Sequence, residues 1–336
     1  MRALLLTRQL RPSWASYVDR LAVMMTRFGV QATVEDATSW IPNETGPRVD
    51  REVSIHLKRV AEDYDVVHAF GYRAAWACAE AFGSQEAWLF SAIDFPKTTH
   101  PQLVERLNKA QRAFCVSEAV RIPLATAGVE LARVYRPGVR PPLDLVDRDT
   151  ARVPFDIPET AQVVAGLGRM VPERGFMKLM LAMEEVWRAD PEVYLLLAGT
   201  GPEEEAIRAH RWEMSQPDKV RAVGPVSAPW DTYRAADLVV VPSGSTSFSF
   251  VAAEAMAAKR PVLVRDEAGL REMVEPHLSG FTFADDSVLA SQILEALSMP
   301  YTMDAVAQGA EARYHERFDL EKNADALAAV HLSLRS

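Results

Sequence analysis

Short apolar runs alternate with segments of helical periodicity along the whole chain. In the first half, apolar runs occur at residues 2–7, 30–34, 65–70, 87–93 and 113–116, and amphipathic segments lie between them. Buried strands of a parallel sheet are nearly continuous apolar runs, whereas the helices that cover them carry one apolar face. The pattern therefore predicts strands that alternate with helices in a parallel sheet covered on both faces. Ser117 precedes one such helix and is predicted to cap it.

The second half repeats this pattern, with apolar runs at residues 162–166, 193–198, 220–223, 238–241 and 261–264. Residues 203–214 have the pattern of a single helix, and residues 319–334 form an amphipathic segment that no strand follows. Two doubly wound halves joined near residues 141–154 explain this order. We predict a first domain at residues 1–145, a second at 150–315 and a terminal helix at 316–336.

Length and composition agree with two domains. A chain of 336 residues is long for one domain and typical for two of about 150 residues each. The hydrophobic content of 49% and the charged content of 25% are those of a soluble globular protein. No apolar run approaches the roughly 18 residues of a membrane span, and the first run is too short for a signal peptide. We expect a cytoplasmic protein in which Cys78 and Cys115 are buried free thiols.

The net charge of −9 is unevenly distributed. Residues 1–150 contain 19 basic and 18 acidic residues, and the remainder contains 18 and 28. A broad basic face for nucleic acid is therefore not expected. A phosphate group would have to be held by a few placed cations and not by a general positive field.

The most informative segment is residues 237–274. An apolar strand ends at Pro242, a run of small residues follows at 243–247, and a helix that carries Glu254 begins near Ser249. A strand, a small-residue loop and a helix N-terminus together form a phosphate site, because free backbone N–H groups and the helix dipole face the ligand. Glu254, in the second turn, could reach a ribose hydroxyl. Neither half has a G-x-G-x-x-G sequence after its first strand, which disfavours a dinucleotide dehydrogenase.

This segment resembles the donor-nucleotide site of family 4 glycosyltransferases, which have the GT-B fold. The residues that match the family pattern are Pro242, Ser243, Phe248, Glu254, Ala255, Met256, Ala257, Pro261, Val262, Gly269 and Glu272. Three positions differ. Thr246 stands where the family has a glutamate, Ser249 replaces a glycine, and Lys259-Arg260 displaces the glycine before Pro261. The resemblance implies that Thr246 and Ser249 lie in the sugar-binding part of the site and that the amides of Ser249, Phe250 and Val251 bind phosphate. Ser243, Ser247 and Phe248 are predicted to belong to the same donor site.

A second element, residues 166–175, resembles the family's G-R-L…K-G sequence, whose two cations clamp the donor pyrophosphate. Arg169 matches, and Arg174 stands in for the lysine. Negative charge grows on the departing diphosphate during glycosyl transfer, so two cations there would stabilise the transition state more than the ground state. Arginine adds a fork geometry toward phosphate oxygens. The alternative is a pair of surface arginines that flank a turn.

Three further segments match the donor domain of the family. Gly199 lies in a G-x-G-P element, and Gly224 and Val226 lie in the segment that contacts the nucleotide base. Tyr233 and Asp237 match a Y-x-x-A-D run that leads into Pro242-Ser243. For Asp237, a structural role as a loop ligand is favoured over chemistry.

The first half matches less well. The loop at residues 7–14 lacks the family's glycine pair, although Arg8 and Arg11 could reach a phosphate. His68 is retained from a D-v-v-H-x-H element, either as an active-site imidazole or as a hydrogen-bonded core residue. Ile93 replaces the histidine of the later H-D element. Asp94, which follows it, is predicted to contact the sugar or the acceptor.

The resemblance implies an α/β GT-B fold, with two Rossmann-like domains facing a cleft and a C-terminal helix that crosses back to the first domain. It implies a metal-independent retaining hexosyltransferase without cofactor. Its donor would be a nucleotide-diphosphate sugar, and its acceptor a glycan, lipid or small molecule. Because Thr246 and Ile93 replace family active-site residues, a non-catalytic protein that binds nucleotide or a protein partner through the same cleft stays open. A peripheral membrane contact also stays open, whereas no lysine-cofactor signature supports a phosphorylase.

Overall fold

The computed structural model describes residues 1–43, 47–97, 99–130, 132–226, 229–244 and 246–334. The chain divides into two compact units. The first unit contains Met1–Gly138 together with Phe318–Ser336, and the second contains Val139–Arg317.

The first unit contains a six-stranded parallel sheet with the order β2-β1-β3-β4-β5-β6. Its strands are β1 (Arg2–Thr7), β2 (Gln31–Asp36), β3 (Val66–Phe70), β4 (Trp88–Ala92), β5 (Arg112–Cys115) and β6 (Ala132–Val134). The chain leaves β1 in one direction to form β2 and then returns past it to form β3. In such sheets, the crevice between the two diverging loops at the carboxyl ends is where ligands bind.

Five helices connect these strands, namely α1 (Pro12–Thr26), α2 (Pro47–Ala61), α3 (Tyr72–Phe82), α4 (Pro101–Leu107) and α5 (Glu118–Thr126). Proline occupies the first turn of α1 and of α4, where its missing N–H removes no helical hydrogen bond. Ser117 holds the N-cap position of α5, but its side chain makes no capping hydrogen bond, so the prediction that it caps this helix is wrong. Its hydroxyl is buried and has no hydrogen-bond partner among the described residues.

The second unit also contains a six-stranded parallel sheet, with the order β12-β11-β10-β7-β8-β9. Its strands are β7 (Val163–Leu167), β8 (Tyr194–Ala198), β9 (Val220–Gly224), β10 (Leu238–Val241), β11 (Val262–Arg265) and β12 (Phe281–Phe283). This is the Rossmann order, and its switch point lies between β7 and β10. The loops that follow those two strands are the segments that the sequence singled out.

The helices of the second unit are α6 (Arg148–Arg152), α7 (Phe176–Ala189), α8 (Glu204–His210), α9 (Pro229–Ala235), α10 (Phe250–Ala257), α11 (Ala268–Arg271), α12 (Leu289–Leu297) and α13 (Pro300–Arg313). Short 3₁₀ turns in the chain are Ala37–Ser39, Val153–Phe155, Pro172–Arg174, Arg211–Glu213, Pro217–Lys219 and Asp286–Val288, and a π turn covers Tyr314–Phe318. The helix predicted at residues 203–214 is divided into α8 and a 3₁₀ turn. In the second unit, apolar side chains of α7 and α12 pack against the sheet to form the core.

The last helix, α14 (Leu320–Ser333), belongs to the first unit, where it packs on α1. Asn323 Nδ2 donates to the Arg136 carbonyl at 2.9 Å, and Arg27 Nη1 lies 3.0 Å from Glu321 Oε1. A Cβ on Gly138 would lie 2.5 Å from Leu320 Cα, so glycine is needed where the two segments meet. The prediction that the C-terminal helix returns to the first domain is confirmed.

Two further expectations concern the whole chain. Cys78 and Cys115 are buried free thiols, as predicted, and burial raises the pKa of the Cys115 thiol to about 12. Among the residues described, no helix combines the length and the apolar character needed to cross a membrane.

Candidate functional site

Loops from neighbouring strands of the second unit are tied together at the carboxyl edge of the sheet. Gly168 N donates to Ala198 O at 3.0 Å, and Met170 N donates to Thr200 O at 2.8 Å. A Cβ on Gly199 would lie 1.8 Å from Gly168 O, which only glycine avoids. The G-x-G-P element therefore acts by letting the loop after β8 pack directly on the loop after β7.

The loops after β10 and β11 also pack together at this edge of the sheet. Gly175 has φ +72°, and a Cβ there would lie 2.8 Å from Pro242 O. Gly269 N donates to Thr246 O at 3.1 Å, and a Cβ on Gly269 would lie 2.1 Å from Ser247 O. The small residues at these positions allow the loops that follow β7, β10 and β11 to close around one edge of the sheet.

Arg169 and Arg174 both lie in the loop after β7. Arg174 is half-buried, and its Nη1 donates to Ser243 Oγ at 3.5 Å, so this arginine reaches the small-residue loop after β10. Arg169 is exposed, and its guanidinium makes no hydrogen bond or ion pair with any residue in the described ranges. The Arg174 guanidinium is thus positioned against the loop after β10, whereas the Arg169 guanidinium keeps its N–H donors available for a ligand.

The N-terminus of α10 lies at the switch point. Ser249 is the buried N-cap residue, and its Oγ accepts a hydrogen bond from Ala252 N at 3.2 Å. Phe248 and Phe250 are buried and meet edge to face with ring centroids 5.1 Å apart. Val251 is half-buried and faces the loop after β7, 3.7 Å from where a Cβ on Gly168 would lie. The serine at the position of the family's glycine thus caps the helix.

The side chain of Glu254 in α10 is held by a hydrogen bond from helix α9. Tyr233 in α9 is 2% exposed, and its hydroxyl donates to Glu254 Oε2 at 2.7 Å. Burial raises the pKa of the Tyr233 phenol well above its ordinary value, and the neighbouring Glu254 charge raises it further. The phenol therefore stays a hydrogen-bond donor at neutral pH. The sequence identified Tyr233 only as part of a motif, and this contact with Glu254 was not predicted.

Thr246, Gly224 and Val226 complete the predicted donor set. The Thr246 hydroxyl donates to the Phe248 carbonyl at 3.3 Å, so it is bonded to the backbone of its own loop. Gly224 has φ +69°, and its carbonyl accepts from Gly199 N at 2.7 Å. Val226 follows β9 and is half-buried. Loops after four strands, β7, β8, β9 and β10, thus contribute predicted donor-site residues.

Asp237 has the structural role that the sequence favoured. Its Oδ2 accepts hydrogen bonds from Arg152 Nη2 at 2.7 Å and Val163 N at 2.7 Å, and its Oδ1 accepts from Arg148 Nε at 2.9 Å. Arg152 is fully buried and also donates to four backbone carbonyls. This network ties α6 to the start of β7 and β10.

His68 lies in the core of the first unit. It is 0% exposed, its Nε2 lies 2.9 Å from Ser91 Oγ, and its ring stacks on Phe70 at 4.5 Å. His331 of α14 lies on it with ring centroids 5.2 Å apart. Burial, with a smaller contribution from His331, holds the pKa of His68 well below its ordinary value. This environment favours the hydrogen-bonded core interpretation over an active-site imidazole.

Asp94 follows β4 at the carboxyl edge of the first sheet. Its Oδ2 lies 3.5 Å from Arg11 Nη2, and it lines a cavity in the first unit. Arg8 lines the same cavity and donates through Nε to the Ile41 carbonyl. The first unit therefore has its own cavity, lined by charged and apolar side chains, at the switch point between β1 and β3.

No group of three or more histidine, cysteine, aspartate or glutamate side chains suited to a metal ion occurs in the part of the chain that the structure describes. The arginines and amides at the β7/β10 switch point suit an anion, and the glutamate suits a hydroxyl-bearing group.

Comparison with known proteins agrees with these observations. Residues 147–313 match the family model described as "Glycosyl transferases group 1". A D-inositol 3-phosphate glycosyltransferase of Segniliparus rotundus is 34% identical over 228 residues, which cover 65% of this chain and 48% of that protein. The chain therefore spans about half the length of this relative. D-inositol 3-phosphate glycosyltransferase 1 of Catenulispora acidiphila is 30% identical over 329 residues, covering 85% of this chain and 76% of that protein.

Among solved structures, the Anabaena protein Alr3699/HepE in complex with UDP superposes with a TM-score of 0.80 at 20% identity, covering 99% of this chain and 100% of that one. A further structure of the same Anabaena protein contains UDP-glucose. The two Rossmann-like sheets and the returning terminal helix are thus those of the GT-B fold, as the resemblance implied. The sequence similarity shows that the chain belongs to the glycosyl transferases group 1 family, also called family 4.

Proposed function

We propose that this protein is a retaining glycosyltransferase that transfers a sugar from a nucleotide-diphosphate sugar to an acceptor. The observation that carries the proposal is the convergence of Arg174, Ser243 and the α10 N-terminus at the β7/β10 switch point. This edge combines a cation, a hydroxyl and helix amides within one group of loops, which is the chemistry that a diphosphate requires. The UDP and UDP-glucose found in the Anabaena protein support the same ligand class here.

Each donor-site residue receives a role. Arg169 and Arg174 bind the diphosphate together with the amides of Ser249, Phe250 and Val251. Glu254 accepts hydrogen bonds from the ribose, and Gly224 and Val226 contact the base through their backbone. Gly199, Ser243, Thr246, Ser247 and Phe248 form the surrounding wall next to the diphosphate and the sugar.

The main contribution of the protein to this reaction is to hold positive charges beside the departing diphosphate. The bond between the anomeric carbon and the phosphate oxygen breaks as the sugar passes through an oxocarbenium-like state. The departing diphosphate takes the proton of the acceptor hydroxyl. Arg169 and Arg174 stabilise the charge that grows on the diphosphate, which lowers the barrier because the interaction strengthens in the transition state. No imidazole is required, which agrees with a buried His68.

The two units divide the substrates. We assign the donor to the second unit, near residues 150–315, and the acceptor to the first unit, near residues 1–145. Asp94 is the polar side chain of the first unit assigned to the sugar or acceptor. Because the chain spans about half the length of the first curated relative, the acceptor in the relative's name is not transferred to this protein.

A panel of UDP-, GDP- and ADP-sugars tests the proposal. The purified chain is incubated with each donor, and release of the nucleoside diphosphate is measured over time. We expect release from at least one donor and its loss in an Arg169→Ala/Arg174→Ala variant. Absence of both release and nucleoside-diphosphate binding across the panel would refute the proposal.

Thr246 supports a second candidate, a non-catalytic protein that binds nucleotide or a protein partner through the same loops. Its hydroxyl is bonded to the Phe248 carbonyl, and a threonine lacks the carboxylate that the family uses to orient the sugar. Thr246→Glu distinguishes the two candidates. A gain of donor hydrolysis or a changed sugar preference supports an enzyme, whereas nucleotide binding without turnover in either variant supports the binder.

A further inference from the structure

The loop that follows β11, residues 266–269, packs on the backbone of the proposed sugar site. Gly269 N donates to the Thr246 carbonyl at 3.1 Å, and a Cβ on Gly269 would lie 2.1 Å from the Ser247 carbonyl oxygen. Thr246 and Ser247 belong to the wall assigned above to the diphosphate and the sugar, so this loop lies directly on that wall. The roles proposed above use none of the side chains of residues 266–269.

The sugar site has a threonine, Thr246, where the family has a carboxylate. The Thr246 hydroxyl donates to the Phe248 carbonyl at 3.3 Å, so its only proton is already used within its own loop. An ionised carboxylate has two acceptor oxygens and can accept hydrogen bonds from two neighbouring hydroxyls of a sugar ring. A site that orients a sugar in the family's way therefore needs a carboxylate from another loop.

Three acids lie in and just after the loop that follows β11. Glu272 matches an acid that the family has in addition to the missing one, so it is not the replacement. Asp266 Oδ1 lies 3.2 Å from Arg271 Nε, so its charge is paired within the segment. The side chain of Glu267 is 45% exposed, and its one ion pair among the described residues is with Arg265 Nη1 at 3.9 Å. Glu267 is therefore the acid most available to a ligand.

Arg265 has a closer partner than Glu267. Its side chain is 7% exposed at the end of β11, where the guanidinium lies over the Phe283 ring at 4.9 Å and pairs with Asp286. Asp286 also lies 2.8 Å from Lys178 Nζ in α7. This ion-pair chain fixes the end of β11, and its closest contacts use Asp286. The Glu267 carboxylate is held near Arg265 without a short charge-assisted hydrogen bond.

The backbone of Glu267 is also fixed. Its N–H donates to the Arg265 carbonyl at 2.8 Å, and its carbonyl accepts from Leu270 N at 3.1 Å. Ala268, the next residue, has φ +44°, a left-handed conformation that a residue with a Cβ keeps only where the surrounding contacts determine it. Glu267 lies two Cα–Cα steps of about 3.8 Å each from Gly269, which contacts the wall. A fixed turn therefore holds an exposed carboxylate beside the sugar site.

We propose that Glu267 replaces the family glutamate that is missing at Thr246. Its carboxylate accepts hydrogen bonds from ring hydroxyls of the transferred sugar and thereby determines which nucleotide-sugar the site prefers. The inference rests on the proposed function, because it places a sugar at the donor site. It explains how the site can hold a sugar although Thr246 has no charge.

Calorimetry with three matched pairs of ligands tests the assignment: UDP-glucose with UDP, GDP-mannose with GDP, and ADP-glucose with ADP. Glu267→Gln keeps the length of the side chain and removes its charge. It should weaken the tightest-binding nucleotide-sugar about threefold to tenfold and leave the matching nucleoside diphosphate unchanged, because only the former carries the sugar. Unchanged affinity for the nucleotide-sugar, or equal weakening of both ligands, would overturn the proposal.

Asp266→Asn is the matched control. It removes the same charge from the neighbouring residue of the same loop, where the acid is already paired with Arg271. Both ligands of each pair should keep their affinities in this variant. If Asp266→Asn weakens the nucleotide-sugar as much as Glu267→Gln does, a general effect of negative charge explains the result and the role of Glu267 is refuted.

Thr246→Glu tests whether the two positions are equivalent. In the Glu267→Gln background, this substitution should return the affinity for the nucleotide-sugar to within about twofold of the wild type. In the wild-type background, it adds a second carboxylate beside Glu267 and should not raise the affinity. Residues that supply the same contact are non-additive. Equal effects of Thr246→Glu in the two backgrounds would mean that the positions act independently, which overturns the replacement.

The same titrations separate this inference from the proposed function. Binding of a nucleotide-sugar and its nucleoside diphosphate, with no selective effect of Glu267→Gln, overturns only the inference. Absence of binding for all six ligands, together with absence of diphosphate release, overturns the proposed function and with it the inference.

Discussion

Tyr233 is predicted to orient Glu254 for nucleotide binding, and Tyr233→Phe removes this contact with almost no change in volume. The phenol is 2% exposed and lies 2.7 Å from Glu254 Oε2, so the substitution deletes a buried hydrogen bond to a charged group. Such bonds contribute about 1.5–3 kcal/mol. Glu254 is half-buried, and water can replace part of the lost interaction. We therefore expect UDP affinity to fall by about 1 kcal/mol, or roughly fivefold.

The assay is calorimetric titration of UDP and of inorganic pyrophosphate into the wild type, Tyr233→Phe, Glu254→Gln and the double variant. Because Glu254 is assigned to the ribose, Tyr233→Phe should weaken UDP binding and leave pyrophosphate binding unchanged. The two substitutions should be non-additive, since both act through one contact. Tyr314→Phe, another buried tyrosine of the second unit, is the matched control and should leave both affinities unchanged.

Two outcomes would refute this reasoning. Equal weakening of UDP and pyrophosphate would mean that Tyr233 supports the loops as a whole and not the ribose contact. Additivity of the two substitutions within about 0.3–0.5 kcal/mol would mean that the hydrogen bond does not couple the two residues in the bound state.

Three further predictions address the diphosphate, the core network and pH. Arg169→Ala should weaken nucleoside-diphosphate binding by about 1.5–3 kcal/mol, the scale of a hydrogen bond to a charged group, and unchanged affinity by calorimetry would contradict its assignment. Arg152→Met should destabilise the second unit by about 3–5 kcal/mol in chemical denaturation, because it removes the buried partner of the half-buried Asp237 and leaves four backbone carbonyls without their donor. Arg148 is partly exposed, so Arg148→Met should cost about 1 kcal/mol or less, and equal effects would contradict this reasoning. Burial lowers the pKa of His331 to about 4 in the folded state, whereas the unfolded chain has the ordinary value of about 6.5. Between these two values the unfolded chain binds more protons than the folded chain. The free energy of unfolding should therefore fall as the pH is lowered from about 6.5 toward 4. His331→Leu should flatten this fall and the exposed control His315→Gln should not, as measured by denaturation midpoints of the first unit across pH.

The candidate site shows which features can be predicted from the local sequence. The small-residue loop, the helix N-terminus and Glu254 are contiguous in the chain, so their spacing already predicts a phosphate site. Ser249 shows where that reasoning is incomplete, since its hydroxyl caps α10 through Ala252 N and gives the departure from the family's glycine a local role. The Tyr233 contact could be suspected only from the Y-x-x-A-D run, because nothing in the spacing from α9 to α10 specifies which side chains meet.

The sequence also predicts fewer details for the first unit. His68 lies within an apolar run in both of its interpretations, so the pattern cannot distinguish a core residue from an active-site residue. The distinction depends on Ser91 in the neighbouring strand and on His331 in the terminal helix, which cover its ring. The cavity lined by Arg8 and Arg73 was likewise not predicted, since its walls come from four separate loops.

The sequence by itself determined the alternation of strands and helices and the two-sheet organisation, and it predicted the segments of the candidate donor site. Strand burial and helical amphipathicity have fixed periods, and the loop chemistry of residues 237–274 is local. Only the tertiary structure decided which side chains meet: Arg174 with Ser243, Tyr233 with Glu254, and Arg8 beside Arg73. These contacts join residues from different strands and helices, and their geometry is set by sheet order and by the close approach of loops at glycines such as Gly175 and Gly199.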